Sequence, residues 1–190
     1  MSGQMSDVVV IDDNEFALVE PVAGTLFDTR AHGLMPVMMH SANTRGELAR
    51  YRISDGQLLL SELQVGSVDE PPAINDVAAT TDEWGQVWTY LDLDVPIAWT
   101  GDLIAGKGPI LDLYVHTGFL PVWHYETVLS FDIVDGAVVG SQDTSDTVAA
   151  YRREQMGAEG EADDAGIFER FLDSIKMRIG LADDATSSDV

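Results

Sequence analysis

Two Asp-Gly pairs, Asp55-Gly56 and Asp135-Gly136, each interrupt a run in which apolar and polar residues alternate. A two-residue hairpin loop that matches strand twist needs positive φ at both positions, and Asp-Gly adopts that geometry at little steric cost. Each pair therefore predicts a β-hairpin together with its register. Across the first turn Ile53 faces Leu58 and Tyr51 faces Leu60, which sends Arg50 and Arg52 to the other face. Across the second, Ile133 faces Val138.

The run entering the second turn carries the clearest pattern. Over residues 123–134 the odd positions are Trp123, Tyr125, Thr127, Leu129, Phe131 and Ile133, and the even ones His124, Glu126, Val128, Ser130, Asp132 and Val134. A period of two predicts a half-buried strand with the odd face in the core. Its length predicts a bend or bulge. Residues 8–11, 86–95 and 111–116 carry further strand signatures. In 86–95 the expected core face is Val87, Leu91, Leu93 and Val95, with Trp88 and Tyr90 opposite. In 111–116 it is Leu111, Leu113 and Val115, with Tyr114 and His116 opposite.

Many short strands with few helices between them predict a mainly β fold. The expected architecture is an antiparallel β-barrel or β-sandwich of about nine strands with a C-terminal α-helix packed on it. That helix spans 164–179. Asp163 and Asp164 suit its positive end, Phe168, Phe171, Leu172, Ile175 and Ile179 form an apolar stripe, and Gly180 stops it. A shorter helix is expected over 145–154, capped by Ser145 or Asp146. Residues 1–6 read as a flexible start, 7–180 as a single domain and 181–190 as a disordered acidic tail. Residues 101–109 (GDLIAGKGP) read as a Gly-rich turn. They are not a phosphate loop, because Gly108-Pro109 stand where Ser or Thr and a helix should follow.

Charge narrows the function classes. The chain has 33 Asp and Glu against 10 Lys and Arg, a formal net charge of −23, yet 45% of it is hydrophobic, enough to fold. Phosphate binding needs cations, so nucleic acid is an unexpected partner. Absence of Cys removes disulfides, thiolate metal sites and thiol nucleophiles. Neither a membrane-spanning stretch nor a basic leader is visible, so the expected location is the cytoplasm. Dispersed acids on an ordinary core predict a halophilic protein, because salt screens the self-repulsion. An acidic protein that meets a basic partner is the rival reading.

The candidate site lies around residues 114–126. A hairpin through 117–122 allows His116 to face His124, with Glu126 beside it, and directly opposed Cβ atoms lie about 4.5–5.5 Å apart. Two imidazoles and a carboxylate suit a divalent transition metal such as Zn²⁺, Fe²⁺ or Mn²⁺. Without a metal, Trp88, Tyr90, Tyr114, His116, Trp123, His124 and Glu126 can line a ligand-binding face, with flat apolar walls and a few polar anchors. The first reading is non-enzymatic binding of a small molecule or protein partner there, with no cofactor. One alternative is a metal-dependent enzyme using His116, His124 and Glu126. Another is an assembly protein that forms a homodimer through 164–179. A nucleophilic hydrolase has no supporting motif, and the pairs Asp12-Asp13 and Asp92/Asp94 carry little weight among so many acids. Met35, Met38 and Met39 read as adaptable core filling before partner surface. Arg45, Arg50 and Arg52 read as neutralising neighbouring carboxylates.

Overall fold

A computed structural model of the chain describes residues 3–19, 26–113 and 118–157. Its strands are β1 (Val8–Ile11), β2 (Asn14–Leu18), β3 (Glu47–Ser54), β4 (Gln57–Gly66), β5 (Thr80–Thr81), β6 (Val87–Tyr90), β7 (Val95–Pro96), β8 (Gly101–Pro109), β9 (Tyr125–Val134) and β10 (Ala137–Asp143). One helix, α1 (Ser145–Gly157), follows. Packing divides the chain into Met1–Val148 and Ala149–Val190, and the whole sheet belongs to the first unit. Of the second unit, residues 149–157 are described, and they continue α1. The expected helix over 164–179 and the tail over 181–190 lie outside the described residues.

Left-handed Asp residues make the turns. Both hairpins form in the expected register, with Ile53 opposite Leu58, Tyr51 opposite Leu60 and Ile133 opposite Val138. Asp55-Gly56 and Asp135-Gly136 take positive φ, and so do Asp12-Asp13 and Asn75-Asp76. Asp12-Asp13 joins β1 to β2, with Ile11 paired to Asn14. The pair is thus a hairpin turn, a use that Asp tolerates better than most residues. Asp92 and Asp94 also have positive φ. They break the single strand expected over 86–95 into β6 and β7.

The strands run in the order β10-β9-β8-β2-β1-β3-β4-β6-β5, with β7 beside β4. The sheet is mixed, because β1 and β3 pair in parallel. It closes on itself where Ala137 of β10 pairs with Gln57 of β4. One edge of β4 therefore serves three partners in turn: β10 at Gln57, β7 at Leu59 and Leu60, and β6 from Leu63 to Gly66. Val9, Leu18, Tyr51, Leu60, Leu63, Tyr90, Leu103 and Ile133 are among the residues of one buried apolar cluster inside this ring.

Residues 101–109 differ from expectation. They form β8, which pairs along β9 from Gly101 opposite Ile133 to Pro109 opposite Tyr125. Leu103, Ile104 and Ala105 are all buried, so this strand is covered on both faces and shows no alternation. Gly106 serves close packing, since a Cβ there would collide with the Tyr125 ring. Val128 and Ser130, on the even face of β9, are buried as well. The start of α1 is anchored beside them: the Val128 amide donates to Ser145 Oγ at 3.0 Å, and Thr144 Oγ1 donates to the Val128 carbonyl at 3.1 Å. Asp143 Oδ1 in turn accepts from the Ser145 amide.

Residues 4–7 hydrogen-bond to distant parts of the chain. The Gln4 amide donates to the Gly118 carbonyl at 2.7 Å, the Met5 amide to the Ala42 carbonyl at 2.8 Å, and Thr44 Oγ1 to Gln4 Oε1 at 2.9 Å. Asp7, almost fully buried, accepts from the Ala49 amide and pairs with Arg45 at 3.0 Å.

Candidate functional site

Only part of the expected face around 114–126 lies within the described residues. Tyr114 and His116 lie outside the described residues, so the His116–His124 pairing is not described. Trp123 and His124 belong to a 3-10 turn, Val122–His124, that precedes β9, where a continuous strand was expected. The Pro121 carbonyl accepts the His124 amide at 3.0 Å and begins that turn. His124 is 8% exposed and its ring meets Trp123 edge-on, with centroids 6.1 Å apart. Glu126 is exposed on β9 and packs beside Gly108, where a Cβ would crowd its carboxylate. Among the described residues no group of three His, Asp or Glu is arranged to hold a metal ion.

Trp88 and Tyr90 sit elsewhere. In β6 they pair with Val65 and Leu63, both buried, so the face they share points into the core. Tyr90 is fully buried and its hydroxyl donates to the Pro72 carbonyl at 2.7 Å. Trp88 packs on the same cluster and donates from Nε1 to the Ser67 carbonyl at 3.3 Å. The expectation that Val87 and Leu91 face the core is reversed here; Leu91 is exposed. The polarity of the two Asp residues that follow carried no information about which side β4 would approach.

The three arginines behave as expected. Arg50 pairs with Glu15 at 2.6 Å and approaches Glu62 at 3.7 Å, while Arg52 pairs with Asp94 and Arg45 with Asp7. Lys107 donates to Asn14 Oδ1 at 2.7 Å and lies over the Phe16 ring.

A different surface emerges at the Gly66 end of β4. The methionines read as core filling are largely on the outside: Met35 is 79% and Met38 64% exposed. Their segment crosses the sheet over two glycines. The Val37 amide donates to the Gly66 carbonyl at 2.9 Å, and a Cβ on either Gly46 or Gly66 would collide with the Val37 carbonyl. On its other side Gly66 leads to Ser67, whose amide donates to the Gln86 carbonyl at 3.1 Å. Val68, 82% exposed, and Trp84, 76% exposed, stand just beyond that bond. Backbone pairing thus gathers Met35, Val37, Met38, Val68 and Trp84 at one end of the sheet.

Trp84 is presented on a stapled turn. Asp82 Oδ1 accepts from the Gln86 amide at 3.1 Å and the Val87 amide at 3.4 Å, and the Gly85 amide donates to the Asp82 carbonyl. These backbone donors, led by Gln86, hold the Asp82 carboxyl below its usual range, so it stays charged. Gly85 has a φ of 66°. Sequence reading missed this surface because a lone Trp beside Gly looks like any loop residue, and clustered Met looks like core.

Comparison with protein-family models, with curated proteins and with solved structures finds no match for this chain.

Proposed function

We propose that the protein is a non-enzymatic binding module that docks a protein partner on the surface formed by Met35, Val37, Met38, Val68 and Trp84. The carrying observation is Trp84: a large indole held out to solvent by a turn whose geometry Asp82 fixes. Exposing such a ring gains nothing for folding, and pre-ordering it lowers the entropy cost of binding. Tryptophan is among the residues enriched at interface hot spots. Methionine beside it supplies a flexible, polarisable wall that adapts to a partner. Large exposed apolar side chains brought to one end of a sheet and flanked by polar ones are characteristic of interaction sites.

Site-specific photo-crosslinking in the native host tests the reading. A benzophenone side chain replaces Trp84, Met38 or, as a control on a distant strand, Val139, which is also exposed. Positions 84 and 38 are expected to give one discrete adduct of the same mass, and position 139 none. Equal adducts at all three positions, or none at 84 and 38, overturn the proposal.

A further inference from the structure

Val68 and Trp84 of the docking surface proposed above, on which this inference rests, sit in the longest stretch of the chain without Lys or Arg. From residue 53 to 106 there are ten Asp and Glu and no Lys or Arg. Four acids, Asp7, Glu15, Glu62 and Asp94, each meet an arginine. Those flanking the exposed apolar side chains are not so placed. Asp69 and Glu70 follow Val68 directly, Asp82 and Glu83 precede Trp84 directly, and all four are exposed. No Lys or Arg pairs with any of the four among the described residues.

We infer that the partner presents a cationic amphipathic segment, with apolar side chains against Met35, Met38, Val68 and Trp84 and Lys or Arg against Asp69, Glu70, Asp82 and Glu83. An acidic partner would bring like charges into contact at this rim, which costs several kcal/mol at an interface. A cationic one relieves the repulsion among these carboxylates, and its cations can also lie over the indole face. Apolar contact supplies affinity, while the charged rim chooses the partner's sign. Long-range attraction fades with salt, since the Debye length is about 10 Å at 0.1 M and about 3 Å at 1 M, but pairs in contact persist.

Titration of the full-length protein with two synthetic peptides tests this, followed by calorimetry at about 0.1 M KCl. One is an amphipathic Leu–Lys helix former, and the other has every Lys replaced by Glu. The Leu–Lys peptide is expected to bind at one site. Its affinity should fall about tenfold or more in Trp84→Ser/Met38→Ser. It should fall about threefold or more in Asp69→Asn/Glu83→Gln, with a weaker salt dependence. All four positions are exposed, so both variants should keep the wild-type melting temperature. If both peptides bind equally and Trp84→Ser/Met38→Ser weakens both, the docking surface stands and the cationic partner is refuted. If the Leu–Lys peptide binds wild type and Trp84→Ser/Met38→Ser alike, the attraction is diffuse charge and both the surface and its partner are refuted.

Discussion

The amide of Val138 donates to the carbonyl of Gly56 at 2.8 Å, and the amide of Leu58 returns a bond to the carbonyl of Gly136 at 2.9 Å. The two Asp-Gly turns thus grip one another, and this clasp is where the sheet closes. The same dipeptide has two environments. At Gly56 a Cβ would meet open space, whereas at Gly136 it would collide with the Ile97 carbonyl. Both glycines have positive φ. Gly56→Ala is expected to cost about 1–2 kcal/mol, the left-handed penalty alone. Gly136→Ala should cost a further ~1–3 kcal/mol for the overlap. Urea denaturation of the two variants checks this; equal losses would place the clasp elsewhere.

Glu47 lies near the ion pair of buried Asp7 with Arg45. Burial raises its carboxyl above the ordinary 4.5; the Thr29 hydroxyl and Arg45 oppose the rise, and Asp7 and Asp28 add to it. A raised carboxyl in the folded state favours the protonated form. Its stabilising contribution is complete below the unfolded value and is lost as pH climbs from 4.5 through the raised value. Glu47→Gln, a neutral near-isostere, should therefore match wild type at acidic pH and exceed it in stability at pH 7. Wild type more stable than the variant at neutral pH would show that the carboxylate is favourable where it sits.

Tyr90 is a core residue with one polar duty. Removing its hydroxyl in Tyr90→Phe leaves the Pro72 carbonyl without that donor and should cost about 1 kcal/mol. Thermal unfolding measures the loss. No change would mean that water replaces the bond.

Gly66 carries the Met35–Met38 segment. Gly66→Ala would drive a methyl into the Val37 carbonyl and lift that segment from the sheet. The expected result is destabilisation by about 1–3 kcal/mol together with loss of the crosslink at position 38. Retention of the crosslink at full yield would show that the segment docks without this seat.

Salt should stabilise the protein. Asp102 stands directly opposite Asp132 on neighbouring strands, where like charges repel, and the net charge of −23 adds self-repulsion. The melting temperature should rise between low and molar KCl. A flat or falling curve would refute the halophilic reading of the composition.

Local chemistry was legible where one or two residues decide the backbone. The Asp-Gly turns, β1, the odd face of β9 and the arginine–carboxylate pairing all follow from φ preferences, alternation and charge. Gly101–Pro109 was not legible: its glycines look like turn formers, and only the Tyr125 ring over Gly106 explains one of them as a packing requirement. Asp12-Asp13 offered two carboxylates and turned out to be a hairpin loop.

By itself the sequence determined a β fold with its two main hairpins, because turn geometry and period-two patterning act over a few neighbouring residues. Tertiary structure alone decided the parallel β1–β3 pair, the closure of the sheet, the inward face of Trp88 and Tyr90 and the outward placement of Met35, Met38 and Trp84. Each of these depends on which distant strand or segment arrives at a given edge or face. Alternation says that a strand has two sides, but only the neighbour that pairs with it makes one of them the inside.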